Sequence, residues 1–162
     1  MSKKLSQPNC KSADSLKISI PIGILKVSSC EEGIHSLSFE KFQISFSKEV
    51  QTPTEKKFRP DSLPKICWKG ICKPNTFSER VLKTLLNQVH FGQTISYKNL
   101  ASLSGNERSQ RAVGTVMRRN PICLLIPCHR VINSNNKIGN YTGGVEIKKW
   151  LLDFESEKGE YF

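Results

Sequence analysis

No stretch of this 162-residue sequence approaches the roughly 20 consecutive apolar residues that a membrane span needs. The N-terminus, MSKKLSQPNCKSAD, also lacks the apolar run of a secretory signal. Both absences lead to the expectation of a soluble, intracellular protein. There is no CxxC pair, no HxxxH pair, no glycine-rich nucleotide loop, no internal repeat and no long low-complexity tract. Zinc modules of the common spacing and enzymes that hold a soluble nucleotide are therefore poor fits. Acids are scarce as well, 14 against 25 lysines and arginines, which leaves a formal charge of +11. A surplus of that size on so short a chain suggests a polyanionic partner such as nucleic acid, with a merely soluble basic protein as the alternative.

The position of the charge favours the first. Between residues 80 and 119 the bases Arg80, Lys83, Lys98, Arg108, Arg111, Arg118 and Arg119 face the single acid Glu107, whereas beyond residue 120 acids and bases cancel. A basic segment confined in this way reads as a binding face. Apolar residues make up 37% of the chain, enough for a real core. The cysteines, Cys10, Cys30, Cys67, Cys72, Cys123 and Cys128, are expected to be reduced thiols in a chain without a signal peptide.

Residues 16–46 alternate apolar and polar positions around the turn EEG, which predicts a small antiparallel sheet. Pro53, Pro60, Pro64 and Pro74 interrupt residues 47–75, an irregular connecting segment. The expected division is an N-terminal β-rich domain over 1–74 and a helical domain over 75–162. Thr76 and Glu79 form a capping-box signature before the apolar face Phe77, Val81, Leu82, Leu85, Leu86 and Val89. Ser96 can cap a short helix YKNLASLS, Gly105-Asn106 breaks it, and Ser109 can cap a second helix, QRAVGTVMRR, ended by Asn120-Pro121. In that second helix Arg111, Thr115 and Arg118 share one side, and Ala112, Val113, Val116 and Met117 are expected on the other. Such a pair has the shape of a helix-turn-helix DNA reader. Gly114 costs about 1 kcal/mol of helix propensity, to be offset by close approach to a phosphate or by a tight helix contact. The run ICLLIPC predicts a buried strand or extended segment leading to Cys128, and VEIKKWLLDFE a final helix packing Ile147, Trp150, Leu151 and Phe154.

The chemistry concentrates in IPCHRVIN, residues 126–133. A cysteine with the ordinary pKa near 8.5 is only a few per cent thiolate at neutral pH, so a nucleophilic Cys128 needs a base. Adjacent side chains in extended backbone point to opposite faces, so His129 would act on it through a water. A metal reading needs about four ligands, and Cys30-x4-His35 with Cys10, Cys67 or Cys72 is the only candidate cluster. A cysteine peptidase is disfavoured because its nucleophile and base lie far apart in sequence.

IPCHRVI, together with RAVGTVMRRNP before it, IGNYTGG after it and the terminal KKWLLDFE, resembles the methylated-DNA--protein-cysteine methyltransferase (6-O-alkylguanine-DNA alkyltransferase) family. The likeness runs from about Thr76 to Glu155 and extends more weakly to CEEGIHSL at 30–37. It implies an α+β fold, a small ribonuclease-H-like antiparallel-sheet domain followed by a winged-helix-like helix-turn-helix domain. It further implies direct-reversal DNA repair, in which the protein extrudes 6-O-alkylguanine from duplex DNA and Cys128 keeps the alkyl group as a thioether.

By the same resemblance, His129 takes the thiol proton through a water, Glu155 orients the imidazole, and Tyr97 donates to the guanine as charge develops. Arg111 would fill the gap left by the base, from the minor groove. Ser78, Lys98, Asn106 and Ser134 match positions that contact DNA, Ala112 and Gly114 complete that face, and Asn120 braces the helices against the active-site segment. Val131, Thr142 and Met117 would line the base pocket. Cys123 stands where some relatives carry proline, and Arg130 has no assigned role. No cofactor is implied for transfer. A structural zinc on Cys30, His35 and Cys10 stays open, with the fourth family ligand aligning near Trp68. The implied partner is duplex DNA carrying 6-O-methylguanine, with 4-O-methylthymine open as a second substrate. The chain would be monomeric, free of membranes, and nuclear in a eukaryote. A helix-turn-helix regulator or a damage-flagging protein without transfer activity are the alternatives.

Overall fold

The computed structural model describes residues 14–20, 23–42 and 64–156. The chain divides into two compact units, 1–71 and 72–162, and the fold is α+β.

In the first unit three strands, β1 (Asp14–Ile20), β2 (Gly23–Cys30) and β3 (Gly33–Phe42), form an antiparallel sheet in the order β1-β2-β3. Cys30 pairs with Gly33 across the turn Glu31-Glu32, and Val27 pairs with Leu37. Residues 64–67 run along β3, where Ile34 donates to the Lys65 carbonyl and Cys67 donates back to the Ile34 carbonyl. That close pass requires glycine at position 33: φ is +137°, and a Cβ there would collide with the Lys65 carbonyl. Of the irregular segment expected over 47–75, residues 47–63 lie outside the described residues. The remainder carries one helical turn, α1 (Trp68–Ile71).

The second unit holds the longer helices. In α2 (Phe77–Gln88), Thr76 caps by accepting from the Glu79 amide, while the Glu79 carboxylate reaches back to the Asn75 amide at 2.7 Å, one residue beyond the usual box partner. Val81, Leu82 and Leu85 bury the inner face; each such side chain contributes about 1.5–3 kcal/mol. Two-residue β4 (Ile95–Ser96) then leads straight into α3 (Tyr97–Leu103), capped by Ser96. After the left-handed Gly105, α4 (Gln110–Arg118) completes a helix-turn-helix. Val113, Val116 and Met117 face inward, but Ala112 is exposed, because it lies a residue past Arg111 on the outer side of the first turn.

The ICLLIPC segment is not a strand. Ile126 donates to the Ile122 carbonyl, Leu125 donates to Cys123, and Leu124 sits at φ +71°. Proline at either end and the Asn120 side chain hold it as a coil of turns. A 3-10 turn, Cys128–Arg130, follows, and then β5 (Val131–Ile132), which pairs in parallel with β4. The last helix, α5 (Val145–Glu155), buries Ile147, Lys148, Leu151, Leu152 and Glu155. Its buried stripe is rotated from the expected one: Phe154 is 44% exposed and stacks on Trp150 at 5.3 Å.

Candidate active site

The parallel pairing of Ile95 with Val131 and Ser96 with Ile132 brings together two remote pieces of sequence. Tyr97 opens α3 immediately after one strand, and the Cys128–Arg130 turn ends immediately before the other. Pro127 adopts φ −79° and ψ 64°, and the Cys128 amide donates to the Ile126 carbonyl at 2.8 Å. This is an inverse γ-turn, which proline's fixed φ favours. Asn120 braces it: its amide nitrogen donates to the Ile126 carbonyl at 2.8 Å and its oxygen accepts from the Ile122 amide at 3.1 Å.

Cys128 forms part of the wall of a cleft of about 730 Å³, a size that suits a small molecule. Tyr97, Arg111, Gly114, Met117, Ser134 and Thr142 share that wall. Gly114 has open space on this side: an added Cβ would meet only the Tyr97 ring, at 4.0 Å. Packing therefore does not demand the glycine, whereas a group entering the cleft would benefit from the room. Thr142 donates to the Arg118 carbonyl at 3.3 Å, tying the 139–144 loop to the end of α4. Val131, expected in the base pocket, is fully buried and is not part of the cleft wall. Lys98, Asn106 and Ala112 are exposed and Ser78 half-buried, none of them in the cleft wall.

Burial pushes the Cys128 thiol up, against the opposing pull of Asn120, Tyr141 and the Lys148 ammonium. The resting sulfur is thus a protonated thiol. Beside it, His129 is 1% exposed, and its Nε2 lies 2.9 Å from a Glu155 oxygen. Burial would raise the Glu155 carboxyl, but bonds from His129 and Arg130 outweigh it and hold the group down to about 2. An ionised carboxylate can only accept, so Nε2 carries the proton and Nδ1 presents a lone pair. Burial also lowers the His129 pKa, so the imidazole is neutral near neutral pH. Its Nδ1 is buried without a bond to any described residue.

Arg130, which had no role on sequence grounds, is tied on three sides. Its Nε and Nη2 donate to the two Glu155 oxygens at 2.7 and 2.9 Å, and Nη1 donates to the Val89 carbonyl at 2.7 Å. The guanidinium also lies 5.9 Å from the centre of the Phe91 ring. It fixes the carboxylate that in turn fixes His129. Burial pushes the Tyr97 phenol up, so it enters any reaction as a proton donor. Burial likewise pushes Cys123 up to about 12, so that thiol too rests protonated.

The model for the DNA-binding domain of 6-O-methylguanine DNA methyltransferases matches residues 76–157, the stretch that contains every group just described. The chain belongs to the 6-O-methylguanine DNA methyltransferase family. The methylated-DNA--protein-cysteine methyltransferase of Cricetulus griseus is 38% identical over 163 residues, covering 83% of this chain and 78% of its own. That of Homo sapiens is 34% identical over 161 residues, covering 85% and 78%. Among solved structures, Mycobacterium tuberculosis OGT in complex with DNA aligns with a TM-score of 0.67 at 25% identity, over 88% of this chain and 92% of its own.

For this methyltransferase-family chain the sequence reading passed over Lys148, Tyr141, Gln110, Asn133, Gly139 and Asn140. The last five line the cleft. GNYTGG was legible as a motif, but nothing in it marked the tyrosine as facing the sulfur. Zinc fits poorly. Among the described residues no three His, Cys, Asp or Glu side chains come together as ligands, and Cys10 lies outside them. His35 keeps a buried Nε2 without a bond, but Cys67 points at Glu32, 3.8 Å away, and the family's fourth position falls at an indole, Trp68. No described helix is long and apolar enough to cross a membrane.

Proposed function

We propose that this protein repairs alkylated DNA by direct reversal, transferring the alkyl group of 6-O-alkylguanine irreversibly to Cys128. The observation that carries the reading is the Cys128 thiol in the wall of a cleft beside the helix-turn-helix, backed by the His129–Glu155–Arg130 array. A helix-turn-helix regulator would have no use for that array.

α4 lies along the minor groove with the basic edge Arg108, Arg118 and Arg119 toward phosphates, and Ser78, Lys98, Asn106 and Ser134 add backbone contacts. The damaged guanine leaves the stack, since its alkyl carbon is out of reach inside a duplex, and Arg111 takes its place. Gly114 and Met117 leave room for the base, and Thr142 closes over it. The sulfur attacks the alkyl carbon and the carbon–oxygen bond breaks. The thiol proton passes through a water to His129 Nδ1 while Tyr97 protonates the guanine as it leaves. Cys128 becomes a thioether and the protein is consumed. The alkyl group comes from DNA, so no methyl-donating cofactor takes part; 6-O-methylguanine is the main substrate and the chain acts as a monomer.

Arg111→Ala separates base extrusion from chemistry. Transfer from a 6-O-methylguanine duplex is expected to fall about ten-fold or more, because extrusion costs a few kcal/mol that the arginine offsets. Reaction with a free 6-O-alkylguanine base should be unchanged, and equal loss on both would contradict the assignment. Duplex binding should weaken with added salt.

A further inference from the structure

Lys148 is the largest side chain of the described residues to be fully buried, at 0% exposure between Ile147 and Leu151 on the inner face of α5. Its ammonium donates to two backbone carbonyls, Val131 and Ile138, each at 2.6 Å. Among the described residues it has no carboxylate partner. Burying a cation without an anion costs several kcal/mol, and a neutral side chain could clamp two carbonyls at less expense. The charge therefore calls for an explanation beyond the clamp.

The two carbonyls bracket the cleft wall. Val131 directly follows the turn that carries Cys128, and Ile138 directly precedes the Gly139–Thr142 stretch. Closing 131 onto 138 presents Asn133 and Ser134, both of which line the cleft. The clamped loop is itself tight, with the Asn133 amide donating to the Lys137 carbonyl at 3.0 Å and Asn136 at φ +61°.

We propose that Lys148 is a positioning residue of the alkyl-acceptor site, holding the 131–138 wall shut and supplying the fixed positive charge against which the Cys128 sulfur ionises. This rests on the reading of Cys128 as the acceptor. The ionisable groups around that sulfur are Tyr97 on α3, Cys123 in the preceding coil, Tyr141 in the following loop, His129 next to it and Lys148 on α5. Tyr97, Cys123 and Tyr141 would ionise to anions and oppose a thiolate. His129 is neutral until it accepts the thiol proton. Arg111 and Arg118 share the cleft wall, but among the groups coupled to the sulfur Lys148 alone is a cation beforehand, and it gives up no proton in the step. Burial draws its own pKa down to about 8, while the sulfur opposes that fall. Once Cys128 is a thioether the anion can no longer form, and the buried cation has lost its transient partner.

The test uses the whole chain, with Lys148→Gln, which keeps a hydrogen-bond donor without the charge, and Lys148→Met, which keeps neither. Alkylation of Cys128 by iodoacetamide at pH 7, where Lys148 is charged, is followed by peptide mass. Both variants should slow it by about ten-fold or more, and Lys148→Met should also speed amide exchange across 131–139. An unchanged rate in folded variants would overturn the charge role. If neither variant folds, the unmodified protein decides: the Lys148 side-chain carbon resonance should titrate at lower pH after Cys128 is methylated, and equal midpoints would refute the coupling. A wild-type protein that accepts methyl from DNA but shows no such coupling sinks only this proposal. One that accepts no methyl sinks the acceptor reading, whatever Lys148 does.

Discussion

Truncating Glu155 to alanine should lower stability by about 3–5 kcal/mol and remove most alkyl transfer with it. One carboxylate serves three donors: His129 Nε2 at 2.9 Å and the Arg130 Nε and Nη2 at 2.7 and 2.9 Å. Glu155 is 7% exposed and the Arg130 side chain 13%, so the variant leaves a guanidinium largely out of water with the Val89 carbonyl and the Phe91 ring but no anion as partner. Breaking a buried pair by removing one member is costly for that reason. Chemical denaturation of the two proteins measures the loss, and a difference under about 1 kcal/mol would contradict the arrangement. The carboxyl also sets an acid limit. Its folded pKa, about 2, lies below the ordinary value of 4.5, so the stability it contributes is present above pH 4.5 and disappears as the pH falls toward 2. In the alanine variant that part of the acid transition should be absent.

Replacing His129 by glutamine should leave DNA binding intact and slow transfer by about 10²–10⁴-fold, the usual contribution of a general base. The histidine has one ring nitrogen committed to Glu155 and the other presenting a lone pair in the buried site. Glutamine can keep a bond to the carboxylate but offers no base of suitable strength. Single-turnover transfer from a methylated duplex is the measurement, and a rate within about three-fold of wild type would remove His129 from the mechanism. In the wild type, burial keeps the imidazole neutral below its usual 6.5. Transfer should therefore persist as the pH drops through that value.

Much of this was legible before any coordinates, and what was missed has physical reasons. The α2 and α3 caps follow from Thr76 and Ser96, whose hydroxyls accept from backbone amides three residues on. Ser109 ends in the N-cap position without its side chain bonding, so position survived where chemistry did not. ICLLIPC failed as a strand because its apolar content said nothing of Asn120, whose side chain takes the bonds a ladder would need. In α5 the apolar residues alone suggested a stripe through Trp150 and Phe154. The true stripe passes through Lys148 and Glu155, and a periodicity built on hydrophobicity excludes charged residues from the core by construction. That rule fails where a site uses buried charge. Arg130 was opaque for a related reason, since its partners Val89 and Glu155 lie 41 and 25 residues away.

The most direct test of the whole account is the mass of the intact protein after incubation, without added cofactor, with a duplex holding one 6-O-methylguanine. The protein should gain the mass of one CH2 group per molecule, on the peptide containing Cys128, with the DNA restored to guanine and no second turnover. Catalytic turnover, a methyl group on another residue, or transfer that survives Cys128→Ala would contradict it.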